Sequence, residues 1–226
     1  LVGEKLYAWI RTPLSTAEQN LTKRKGNFVL TAEGALEGEV QMEFYGQEAI
    51  TRRLALYRET QTKREEEITE EIKKRVKNSE ILELRIENLD DNSKPLIYKF
   101  KIKIPSYAQK LGRRMVFQPG FFEYGRAPVF SASQRTHDIY FNYPWSEQDE
   151  ISIVFPEGFE LESASSPGEM ADKDRIGFLD IRMSLTSDKK NSPIQEELSL
   201  WRWWEHTLSR SSLFTIEGDF RYFPQS

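Results

Sequence analysis

Leu96-Ile97-Tyr98-Lys99-Phe100-Lys101-Ile102-Lys103-Ile104 is the stretch that decides the fold. Large apolar residues hold every even position from 96 to 104, while lysines hold 99, 101 and 103. A period of two puts one row of side chains into a core and the other into water, so the stretch reads as a half-buried β-strand. The turn formers Asp90-Asp91-Asn92-Ser93-Lys94-Pro95 precede it, and before them Leu82, Leu84 and Ile86 alternate with Glu83, Arg85 and Glu87. The two runs predict an antiparallel hairpin. Its outer face sets Lys99, Lys101 and Lys103 near Glu83 and Glu87, where opposite charges contribute roughly 0.2–1 kcal/mol per pair. The lysine row could bind an anion, but cross-strand pairing and protection of an edge explain it without a ligand.

Working outward, Leu36, Gly38, Val40, Met42 and Phe44 alternate with Glu37, Glu39, Gln41 and Glu43, a second half-buried strand. Asn27–Thr31 reads as a strand leading into a Glu33-Gly34 turn. Residues 1–26 hold a short apolar patch, Leu6–Ile10, followed by a polar connector. From Gln47 the period becomes helical, with Ile50, Leu54 and Tyr57 and then Ile68, Ile72 and Val76. Thr62–Lys77 is acidic early and basic late, which complements a helix dipole. A solvated amphipathic helix lying on a sheet explains this charge run better than a partner-binding face does. Arg114–Phe117 offers one more short strand.

The second half shows strands at His137–Tyr143, Glu150–Phe155 and Leu179–Thr186. Pro144–Gln148 reads as a loop, Pro156-Glu157-Gly158 as a turn, and Phe159–Leu161 as the start of a return strand. Ser192-Pro193-Ile194-Gln195 carries a capping-box signature. Ile194, Leu198, Trp201, Trp204 and Leu208 then share one helical stripe. Leu213–Ile216 and Phe220–Phe223 close the chain as strand candidates. The expected fold class is α+β, mainly antiparallel β, with sheet or β-sandwich-like subdomains each carrying one or two packed helices. A boundary near Gly125 gives residues 1–125, with helices near 47–77, and residues 126–226, with a helix near 193–210.

Composition narrows the function. A 38% hydrophobic share with 12% aromatics supports a real core despite 30% charged residues. The net charge of −4 gives no basic stripe for nucleic acid. No apolar run is long enough to span a bilayer. The chain begins Leu1-Val2-Gly3-Glu4, without Met or a signal-peptide pattern, and reads as a fragment of a longer polypeptide.

The chain has no cysteine and only two histidines, His137 and His206. Disulfides, thiolate metal sites and a cysteine nucleophile are therefore excluded, and two scattered histidines do not make a zinc site. No Gly-x-Ser-x-Gly elbow accompanies either histidine, and no phosphate-cradling glycine motif occurs. Asp90-Asp91-Asn92 lacks the rest of a calcium loop and reads as an ordinary turn. With 36 acidic residues, a catalytic carboxylate pair has no specificity. No catalytic residue, metal or cofactor is expected. In Trp201-Arg202-Trp203-Trp204, a helix would turn Trp201 and Trp204 toward the core and leave Trp203 outside. Trp203, with Trp145 and Tyr143, is the candidate contact for a peptide or glycan.

One string carries a resemblance. Tyr143-Pro144-Trp145-Ser146-Glu147-Gln148-Asp149-Glu150-Ile151-Ser152-Ile153, continuing through Pro156-Glu157-Gly158-Phe159, resembles a signature near the end of large bacterial proteins with a transglutaminase-like core. Leu36–Val40, Gly46–Ala49, Arg52-Arg53, Gly3–Tyr7 and Thr12-Pro13 are similar to stretches of the same region. The Trp-rich string departs from the family's usual late helix. The family's activity uses a Cys–His–Asp triad in the core, and without cysteine none of it transfers to this chain. The resemblance implies a non-catalytic accessory region whose partner is the upstream transglutaminase-like domain. That domain would dock on an apolar patch, and the location would be periplasmic or cell-surface. The alternative is an independent glycan- or peptide-binding β module.

Overall fold

The computed structural model describes residues 14–126, 141–162, 166, 168–171, 177–188 and 195–206, with 187–188 and 195–206 as backbone only. Ten strands and two α-helices are described. They are β1 (Leu21–Leu30), β2 (Leu36–Phe44), α1 (Gly46–Leu56), α2 (Gln61–Arg75), β3 (Glu80–Glu87), β4 (Leu96–Ile104), β5 (Gln109–Leu111), β6 (Arg114–Val116), β7 (Trp145–Val154), β8 (Gly168–Ala171), β9 (Gly177–Asp188) and β10 (Gln195–His206). Eight strands form one sheet in the order β3-β4-β2-β1-β7-β10-β9-β8, and β5 pairs with β6 in a small second ladder. All pairings are antiparallel except β1 with β7, so the main sheet is mixed.

Alternation in the sequence becomes two unlike faces. Leu96, Tyr98, Phe100, Ile102 and Ile104 of β4 are all buried, beside Leu36, Val40 and Phe44 of β2, Phe28 and Leu30 of β1, and Ile151 and Ile153 of β7. Ile68 and Ile72 of α2, Leu56 of α1, and Phe121 and Phe122 from the stretch after β6 complete this core. The amphipathic reading of α2 holds: its apolar stripe is buried and its last turn carries Lys73, Lys74 and Arg75. The opposite face of the sheet is charged. Lys99 pairs with Glu87, Lys101 with Glu83, and Lys103 with Glu37 of β2, at 2.8–2.9 Å. The edge strand β3 is bulged between Leu82 and Arg85, with Glu83 at φ 54°, which spoils it as a template for another strand.

Two expectations are corrected. The helix near 193–210 is a strand over Gln195–His206, seated between β7 and β9 and paired on both sides. Its aromatics suit a sheet as well as a helix, and two ladders of backbone hydrogen bonds outweigh the helical spacing. Both described helices therefore belong to the first half. The fold is mainly antiparallel β with two α-helices, built on one mixed eight-stranded main sheet. Its β1–β7 pairing joins the two sides of the boundary placed near Gly125. Pro144–Gln148 is not a loop throughout, since β7 begins at Trp145. No strand forms over Phe159–Leu161. The expected elements at residues 1–13, 137–140, 191–194 and 207–226 lie outside the described residues.

Candidate functional site

A cleft of about 460 Å³ opens where the ends of β1, β2 and β7 meet the helices. Its lining comes from separate pieces of chain: Arg24 of β1, Phe44 of β2, Glu48 and Arg52 of α1, Glu71 and Arg75 of α2, Phe122 and Arg126 after β6, and Phe141–Tyr143, Trp145 and Glu147 around the start of β7. Tyr143 and Trp145, the aromatics singled out from sequence, thus stand on one cleft. The Trp145 ring packs edge-on against Phe141 at 5.1 Å between centroids. Burial, and to a lesser degree the Glu48 charge, push the Tyr143 phenol up. Trp203 lies opposite Gln148 in the β7–β10 register, and its side chain is outside the described ones. His206 stands opposite Trp145 in the same register; His137 is outside the described residues.

Asn20 builds the floor of this end. It is 1% exposed. Its amide donates to Ser15 Oγ, the Thr16 carbonyl and the Pro144 carbonyl, and its Oδ1 accepts from the Gln47 backbone N–H at 3.0 Å. Tyr45, at the N-cap position of α1, makes no side-chain cap bond, so Asn20 supplies the cap from outside the helix. Gly46 turns the chain there at φ +55°, and a Cβ on it would strike Asn20 Oδ1.

Two ionic groups form the walls. Arg24, 7% exposed, donates from Nε and Nη2 to both oxygens of Asp149 at 2.7 and 3.0 Å, and from Nη2 to Glu147 at 3.0 Å and Glu123 at 3.2 Å. Arg126 bonds both oxygens of Glu147, and Nη1 bonds Glu123. This cluster ties β1 to residues beyond 120 in sequence. In the other wall, Arg52 bonds Glu48 at 2.7 Å and holds Glu71 in a bidentate fork at 2.9 and 3.0 Å, with its guanidinium 4.2 Å over the Phe44 ring. Glu48–Arg52 and Glu123–Arg126 follow local i,i+4 and i,i+3 spacing, but the partners of Arg24, and the Arg52–Glu71 and Arg126–Glu147 pairs, lie too far apart in the chain for sequence to join them.

The fork sets an acid limb. Burial pushes the Glu71 carboxyl up, but the Arg52 hydrogen bonds and charge outweigh it and carry it below 4.5. A carboxylate depressed on folding adds stability in full above its unfolded value and loses it as pH falls through its folded one. The Glu71 side chain is 54% exposed, so screening keeps the contribution under about 1 kcal/mol. Urea midpoints of the protein and of Glu71→Gln should therefore differ at neutral pH and converge as pH falls below 4.5. A gap that widens in acid would contradict the fork's role.

A second surface stands outside the cleft. α1 buries Ala49, Arg53 and Leu56. Arg53 reaches the carbonyls of Asn88, Asp91 and Lys94 and clasps the turn between β3 and β4. The stripe with helical apolar spacing lies about a quarter turn round from that face and is turned to solvent: Ile50 is 47% exposed, Leu54 74% and Tyr57 65%.

No metal-holding group of His, Cys, Asp and Glu occurs among the described residues. No described helix is long and apolar enough to cross a membrane. Residues 113–200 match a family described as a domain of unknown function, DUF3858. The match covers β6 to the middle of β10, less than half of the chain. No curated protein and no solved structure matches the chain.

Proposed function

We propose that this chain is a non-catalytic accessory region of a transglutaminase-like protein, and that it seats the core domain of that protein on the outer face of α1. The supporting observation is the stripe Ile50, Leu54 and Tyr57, which lies one helical turn apart from residue to residue and is turned to solvent. Contiguous exposed apolar surface of this kind marks interaction sites. Asn20 ties Ser15 and Thr16 to the first turn of the same helix. The resemblance around Tyr143–Leu161 is what supports a transglutaminase-like identity for the docked domain, and an exported location goes with the same reading. Calorimetric titration of the chain with the separately expressed upstream domain tests it. Association is expected, with Leu54→Asp weakening it at least about tenfold while shifting stability by no more than about 0.5 kcal/mol. No association at high micromolar concentration, or equal affinity for the variant, counts against it. So does an upstream coding sequence without a Cys…His…Asp core.

The cleft favours a second reading, an independent binding module. Tyr143 and Trp145 present flat rings beside Phe44 and arginines, a lining suited to a charged peptide more than to a neutral glycan. Trp145→Ala should then abolish peptide binding, and an unchanged isotherm would remove the site.

A further inference from the structure

We infer that the cleft anchors a peptide ligand by seating its carboxylate on Arg75. The inference rests on the second reading, that the cleft binds a ligand. Three of the four arginines in the lining are matched: Arg24 by Asp149 and Glu147, Arg52 by Glu48 and Glu71, Arg126 by Glu123 and Glu147. Arg75 has no carboxylate within ion-pair distance among the described residues. Its one described hydrogen bond runs from Nη1 to the Phe122 carbonyl, at 2.7 Å. A guanidinium offers five donors in a planar fork that matches a carboxylate bidentately. Most of that fork is therefore uncommitted on a wall of the cleft.

Burial lowers the proton affinity of Arg75, and the Arg24 charge lowers it next, while Glu123 and Glu71 raise it. Arg75 thus stands among charges of both signs, and what it offers a carboxylate is the open part of its fork. The backbone is held as well, because Gly125 at φ +68° packs so closely on the Arg75 carbonyl that a Cβ there would strike it. The remaining lining fits what a carboxylate is attached to: Trp145 with Phe141 gives an edge-packed aromatic pair, and about 460 Å³ accommodates a residue or two of peptide. The end of α2 opposes an anion through its own dipole, so the guanidinium has to supply the attraction.

The test uses three probes on the whole chain by calorimetry: N-acetyl-tryptophan, its amide, and N-acetyl-Trp-Asp-amide. They separate a chain-end carboxylate from a side-chain one. At least one carboxylate probe should bind about tenfold or more tighter than the amide. Arg75→Gln should erase that preference, and Arg75→Lys should keep part of it. Equal binding of all three probes overturns the Arg75 subsite and leaves the cleft reading standing. The same holds for a preference that survives in a folded Arg75→Gln. No binding of any probe at millimolar concentration overturns both. If Arg75→Gln does not fold, Arg75→Lys takes its place: a preference reduced in that variant supports the subsite, and one that is unchanged overturns it.

Discussion

Replacing Arg24 with methionine is expected to destabilise the fold by about 3–5 kcal/mol, because it removes a buried guanidinium that bonds three carboxylates. Asp149 is 1% exposed and Glu147 8%, so neither recovers its hydration when the guanidinium goes. Arg126 remains to hold Glu147, while Asp149 loses the bidentate Arg24 fork. Adding Asp149→Leu to Arg24→Met should restore much of it, since an apolar pair of similar volume needs no compensation. Urea denaturation of the two single variants and the double variant closes the cycle. The expected coupling is about 2 kcal/mol or more, and strict additivity would show that the cluster does not act as a unit. The cluster also joins β1 to β7, so its loss should destabilise both sides of the Gly125 position together, in one transition.

The second large effect is at Phe44. It is 1% exposed, packs against Tyr98 at 5.0 Å, and carries the Arg52 guanidinium over its ring. Phe44→Ala removes a core aromatic and should cost about 3–5 kcal/mol through lost transfer and the remaining cavity. It also removes the surface on which Arg52 lies, so the Glu48–Arg52–Glu71 arrangement should loosen and the acid limb assigned to Glu71 should flatten. Phe44→Leu keeps part of the volume and should cost clearly less. Equal losses for Ala and Leu would point to the ring's charge contact, rather than its bulk, as the main term.

Periodicity alone makes part of this fold legible in the sequence. The alternation of β4 and β2, and the stripe Ile68–Ile72–Val76, each state one geometry only, and the fold follows them. The Leu198–Trp201–Trp204 spacing satisfies a helix, yet the same aromatics are good strand formers, and the deciding fact is the availability of β7 and β9 as neighbours. Lys23-Arg24-Lys25 reads as part of a polar connector. Nothing local distinguishes Arg24, whose burial depends on acids 99 to 125 positions away. The stripe Ile50–Leu54–Tyr57 is visible in the sequence as a helix but not as an outward one. Arg53 takes the inner position because its long side chain satisfies three carbonyls of a turn that the sequence does not place beside it.

The most direct measurement places a thiol in the middle of the exposed stripe. The chain has no cysteine, so Leu54→Cys provides a single reactive site on it. Its alkylation rate, followed peptide by peptide in mass spectrometry, is compared in this chain alone and in the presence of the separately expressed transglutaminase-like domain proposed as its partner. Docking on α1 predicts rapid labelling in the chain alone and labelling slowed severalfold or more when that domain is present in excess. Equal rates in the two would contradict it.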